Sequence, residues 1–100
     1  MIAAFPDPVT ANHDMRVRFE INRSAEQAKF YLFTASRRKI REITIPASAV
    51  VNNLMQGSND LMIGQQELSD LSAGIYYYYI VVNTSGQSAR SGIEKLIILK

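Results

Sequence analysis

The residues of this hundred-residue chain whose types could do chemistry are one histidine, nine acidic residues and a run of tyrosines. His13 stands beside Asp14, and a histidine next to a carboxylate can act as a general base. The chain holds no second histidine and no cysteine to complete a zinc or facial-triad site, so the ordinary reading of His13 is a solvated loop residue. Serines fall in turn-like stretches with no G-x-S-x-G elbow, and no glycine-rich phosphate loop is present. Asp60, Glu67 and Asp70 could meet at one end of a β-fold and hold calcium. Without a D-x-D-x-D-G loop, a polar rim is the better reading. The expectation is no catalytic site, no cofactor, no metal and no enzymatic activity.

Binding chemistry is better represented. Tyr77 and Tyr79, with Tyr31 and Phe33, could form an exposed aromatic face that stacks on sugar rings. The alternative is that these rings fill the core or are covered by a neighbouring domain. Tryptophan, the usual sugar platform, is absent. The one dense basic run, Arg37-Arg38-Lys39 with Arg41, reads as a solvated hairpin end rather than a nucleic-acid patch, and the net charge is only +2. Asn22-Arg23-Ser24 and Asn83-Thr84-Ser85 fit the glycosylation acceptor pattern, which counts only in a secreted eukaryotic protein. No stretch approaches the ~20 apolar residues of a membrane span, so neither membrane insertion nor a nucleic-acid partner is expected.

The elements that must position these groups are strands. Ile75-Tyr76-Tyr77-Tyr78-Tyr79-Ile80-Val81-Val82, opened by Gly74, is wholly aromatic or β-branched, a composition that suits a pleated, buried surface. Alternation puts Tyr76, Tyr78, Ile80 and Val82 on one face and Ile75, Tyr77, Tyr79 and Val81 on the other. Met15-Arg16-Val17-Arg18-Phe19-Glu20-Ile21 alternates apolar and charged residues, as a strand with one wet face does. Ala28 to Thr34 is apolar on both faces and reads as central. Lys39 to Ile45 returns from it until Pro46 stops the strand.

Ile2 to Phe5 reads as an edge strand cut off by Pro6 and Pro8, and Val9 to Asp14 as a polar loop. Asn59 onward begins another strand, Asn83 to Gly92 reads as a polar hairpin loop, and Ile93 to Lys100 closes the chain as a last strand. Residues 47–58 are left unassigned between a short strand at Val50-Val51 and a helical turn.

About seven strands without a convincing helix give an all-β, antiparallel β-sandwich of immunoglobulin-like kind. Leu71-Ser72-Ala73-Gly74-Ile75-Tyr76 has the layout of a tyrosine corner, with the Tyr76 hydroxyl bonding backbone upstream and Tyr78 in the core. Composition fits one globular module over residues 1–100, with 47% hydrophobic and 20% charged residues and no disulfide possible. Its start lacks the charged end and apolar length of a signal peptide. The module is therefore expected to be excised from the C-terminus of a longer protein.

Phe5-Pro6-Asp7-Pro8-Val9, the strand Met15 to Ile21, Leu32-Phe33-Thr34-Ala35-Ser36-Arg37-Arg38, the corner Leu71 to Tyr76, and Lys95-Leu96-Ile97-Ile98-Leu99-Lys100 follow one another in a characteristic order. In that order they resemble the Y-P-N-P-like, alternating, I-Y-D-x-x-G-R-like, L-x-x-G-x-Y and K-x-x-x-x-K-like motifs of a bacterial family of C-terminal immunoglobulin-like modules. The family includes the type IX secretion C-terminal sorting domain and the immunoglobulin-like domain of flagellar hook-capping proteins. Asp7 departs from the usual asparagine, the turn glycine is missing at Ser36, and the W-D-G-x-D segment of the flagellar type is absent.

The resemblance implies a non-catalytic sorting module that directs a cargo across the bacterial outer membrane, via the periplasm, to the surface or medium. Its partners would be the parent protein's neighbouring domains and the outer-membrane secretion machinery. Gly74, Tyr76, Lys95 and Lys100 would carry recognition, with the terminal strand offering an edge for strand addition. Read from the residues alone, Gly74 serves the corner's backbone and the lysines protect an edge. The alternative function is a structural capping, spacer or adhesion module, with Tyr77 and Tyr79 as a glycan-binding face.

Overall fold

The strand with the clearest alternation sets the first sheet. The computed structural model describes residues 2–5, 9–10, 13–84 and 86–99, with side chains described for 13–84 and 86–99. The prolines of the opening motif, Asp7, Ser85 and Lys100 lie outside the described residues. Strand β3 (Met15–Ile21) buries Met15, Val17 and Phe19 and exposes Arg16, Arg18 and Glu20. It pairs antiparallel with β1 (Ile2–Phe5) on one side and β6 (Gly57–Ile63) on the other, giving a three-stranded sheet.

The second sheet is built on the tyrosine strand. Strand β7 (Gly74–Thr84) pairs from Tyr76 to Asn83 with the whole of β4 (Gln27–Thr34), which in turn pairs with β5 (Lys39–Pro46). On its other side β7 pairs with β8 (Gln87–Arg90) and β9 (Glu94–Leu99). Strand β2 (Val9–Thr10) adds parallel to Ile98 and Leu99 of β9. The order β2-β9-β7-β4-β5 packed over β1-β3-β6, with the chain's start divided between the sheets, is that of an immunoglobulin-like sandwich.

The core is made where the inward rows of the two sheets meet. Tyr78, Phe30, Leu32 and Ile80 of one sheet are fully buried with Met15, Leu61 and Ile63 of the other, and Leu54, Leu68, Leu96 and Ile98 seal the ends. Each such side chain contributes about 1.5–3 kcal/mol of burial. Phe30 and Tyr78 rings meet at 5.6 Å between centroids. The inward set expected for the tyrosine strand, Tyr76, Tyr78, Ile80 and Val82, is the buried set.

Two stretches read as loops are strands. Val9–Thr10 of the expected polar loop forms β2, and Gln87–Arg90 of the expected hairpin loop forms β8. All four residues of β8 are exposed, so no alternation marks it in sequence; its backbone pairing to Val81–Thr84 makes it a strand. β8 and β9 are two halves of one strand along β7. The register slips by one residue between the Val81–Arg90 and Tyr78–Glu94 pairs, a bulge at residues 91–93. There Ser91 donates its N–H to the Ile80 carbonyl at 2.8 Å, and its Oγ accepts the Ile80 N–H at 2.9 Å.

Both options left open for residues 47–58 are realised in small pieces. Ala47–Ala49 is a 3₁₀ turn, and Val51 makes an isolated antiparallel bridge to Asp60. Asn52, Asn53 and Leu54 then turn the chain with positive φ values of 76°, 52° and 57°. Buried Asn59 ties this turn down, donating from Nδ2 to the carbonyls of Met55 and Gly57. Burial of Leu54 offsets the backbone strain of a left-handed leucine.

Candidate functional site

Three places bring together the residues singled out by sequence. The first is the corner before β7. The Tyr76 hydroxyl donates to the Ser72 carbonyl at 2.7 Å, closing the tyrosine corner. Gly74 opens the strand at φ +157°, and a Cβ there would meet nothing within 4 Å. The demand for glycine is therefore one of backbone, not of space.

Arg41 fastens the same end of the sandwich. It sits on the inward row of β5, opposite Leu32, and its Nε donates to the Glu67 carbonyl at 3.1 Å while its guanidinium pairs with Asp70. The reading of Arg41 as part of a solvated basic run is corrected on this point, because strand alternation turns it toward the core edge. Asp60 is elsewhere, on β6 beneath Arg18 at 2.9 Å and Arg16 at 3.7 Å. The three acids considered for calcium thus serve two separate sets of arginines. The Arg18 hydrogen bond holds the Asp60 carboxyl below the usual carboxylate range. Asp14 accepts the Gln65 N–H at 2.8 Å, ahead of the 3₁₀ turn Gln65–Glu67.

The second place is the outer face of the larger sheet. Tyr77 and Tyr79 are half-buried here beside Tyr31 and Phe33. Tyr79 stacks between Tyr31 (centroids 5.0 Å apart) and Phe33 (5.4 Å). Cations lie against two of these rings: Lys39 Nζ is 5.5 Å from the Tyr31 centroid, and the Arg90 guanidinium carbon is 5.1 Å from that of Tyr79. A groove of about 430 Å³ opens between Phe33, Tyr77 and Tyr79, rimmed by Ala35, Arg37 and Ile93. Lys95 lies directly across from Tyr77 on β9.

Sequence reasoning missed this ring of cations. Lys39 is opposite Phe33 only because the β4–β5 register shifts after Leu32, and Arg90 reaches Tyr79 only because β8 is a strand.

The third place is the strand edge. β2 covers β9 only at Ile98 and Leu99, so the terminal strand is flanked on both sides at its end. Among the described residues no strand pairs the outer side of 87–90 or 94–97. Since Ser91 and Ile80 form a hydrogen-bonded pair, alternation of the antiparallel ladder turns the backbone groups of Ser88 and Arg90 away from β7. Beside this edge the sandwich gapes in a cleft of about 800 Å³, lined by apolar Phe19, Ile21, Ile80 and Val82 and by polar residues including Arg23, Arg90 and Glu94.

No family model matches the sequence, and no curated protein matches it. Among solved structures, the fold is similar to part of the crystal structure of dimeric latent PorU from Porphyromonas gingivalis. The TM-score is 0.67 with 17% sequence identity, and the match covers 98% of this chain but 9% of that one. At that identity the likeness establishes a shared all-β sandwich fold.

Proposed function

We propose that this chain is a non-catalytic sorting module of type IX secretion, directing a cargo to which it is joined across the bacterial outer membrane. The observation that carries the reading is the likeness, over nearly the whole chain, to a portion of PorU, a type IX secretion protein. The ordered motifs from Leu32 to Leu99 point the same way.

The module acts folded. Tyr76 and Gly74 set the corner, and through it the tyrosine strand against which the open edge of β8 and β9 is laid. Backbone groups at Ser88 and Arg90 that face away from β7, next to a cleft of mixed apolar and polar lining, suit a receptor that adds an extended segment to the edge. In this reading recognition uses the upstream edge, which includes Lys95; that β2 pairs with Ile98 and Leu99 at the end of β9 supports it. Its destination is the cell surface or medium, reached through the periplasm.

The test is transfer. Residues 1–100, fused behind a periplasmic reporter in a bacterium with type IX secretion, are expected to carry the reporter outside. Retention in the periplasm would overturn the proposal in favour of a structural spacer.

A further inference from the structure

The outer face of the larger sheet is more positive than the molecule as a whole. Arg37 lines the aromatic groove, and Lys29, Lys39, Arg90 and Lys95 lie on the same face, against one carboxylate among the described residues, that of Glu42, already paired with Lys39 at 2.7 Å. The face therefore carries a surplus of about four positive charges, above the +2 of the whole chain. These cations are not a bidentate pocket for one phosphate. They are spread along four strands and a turn, as suits a ligand with repeated acidic groups.

We propose that this face binds an acidic glycan, a polysaccharide bearing carboxylate, sulfate or phosphate groups, independently of the sorting role. Phe33 and Tyr77 flank a groove of about 430 Å³, at the lower end of small-ligand clefts. A pyranose ring offers an apolar C–H face to such walls and keeps its hydroxyls in water beside the phenol groups. Arg37 at the rim and Lys95 beside Tyr77 then meet the acid groups.

An extended peptide fits this face less well. A sheet's N–H and C=O groups are consumed within the sheet plane, so peptide strands add at edges, whereas a face recognises its ligand by rings and charge alone. Lys39 and Arg90, held over the Tyr31 and Tyr79 rings, fix positive charge against the aromatic surface.

Calorimetric titration of the chain with an oligogalacturonate and a chondroitin sulfate hexasaccharide, with maltohexaose as the neutral control, tests this. At least one acidic saccharide should bind, weakening about tenfold or more as salt rises from ~0.05 to ~0.5 M, and maltohexaose should not. The double variant Lys39→Gln/Arg90→Gln changes only exposed side chains and should lose about fivefold or more in affinity at unchanged Tm. Tyr77→Ala should lose binding as well. The proposal is overturned if neither acidic saccharide binds, if maltohexaose binds equally, or if the double variant binds like the parent. Equal competition by an oligoglutamate, or a self-associated dimer that Tyr77→Ala dissolves, would overturn it too, by showing a generic polyanion patch or a second copy on this face.

Discussion

The Tyr76 hydroxyl and the Ser72 carbonyl, 2.7 Å apart, lock the corner from which the central strand of the larger sheet departs. Tyr76 is 8% exposed, so its hydroxyl depends on this bond rather than on water. Tyr76→Phe keeps the ring in the core and removes only the hydroxyl. It should cost about 1 kcal/mol, seen as a fall in Tm of about 4–8 °C. An unchanged Tm would show that the corner is held by packing alone.

Two backbone positions make opposite predictions. Gly74 has φ +157° with open space around its missing Cβ, so Gly74→Ala should destabilise by about 1 kcal/mol through the backbone. Arg37 has φ +71°, a left-handed conformation that penalises any side chain. Arg37→Gly should stabilise by up to about 1 kcal/mol. Chemical denaturation of both variants checks the pair, and a loss of stability in Arg37→Gly would contradict it. The left-handed residue of this turn is thus Arg37 rather than Ser36, and Arg37 is the sixth residue of Leu32 to Arg38, the place of the glycine in the seven-residue I-Y-D-x-x-G-R pattern.

Asp60 gives a pH signature. Its carboxyl is held below the ordinary range by the Arg18 hydrogen bond, so its folded pKa lies below the unfolded value of about 3.9. Its contribution is fully present above that unfolded value and is lost as pH falls through the folded one. Asp60→Asn should lower Tm at neutral pH and flatten the decline on the acid side. An acid limb unchanged by Asp60→Asn would contradict this assignment.

The edge of β8 makes a functional prediction. Ser88→Pro removes a donor that points away from β7, so the fold should keep its stability to within about 1 kcal/mol. Export of an attached reporter should fall. Export equal to the parent's would show that recognition does not use this edge.

Much of the frame was legible because its signals are local. Met15 to Ile21 declares its buried and wet faces by alternation alone, and the small residues before Tyr76 announce the corner. The remainder depends on partners distant in sequence. Val9–Thr10 and Gln87–Arg90 are strands only by virtue of the backbones beside them. The cations around the aromatic rings were hidden because each arrives through a register: Lys39 at Tyr31 through the shift after Leu32, Arg90 at Tyr79 through the pairing of β8, and Lys95 opposite Tyr77 through the bulge at 91–93. Alternation puts Arg41 on the face of Ile43 and Ile45, but its partners Glu67 and Asp70 are distant in sequence, so only the fold shows it fastened rather than solvated with its basic neighbours.

Sorting is read out by surface-protease accessibility of a periplasmic reporter fused ahead of residues 1–100, in type IX-competent cells and in a strain lacking the translocon. A sorting module should leave the reporter cleaved from outside, or recovered in the medium, only when the translocon is present. A stably folded fusion that stays in the periplasm of competent cells would contradict it.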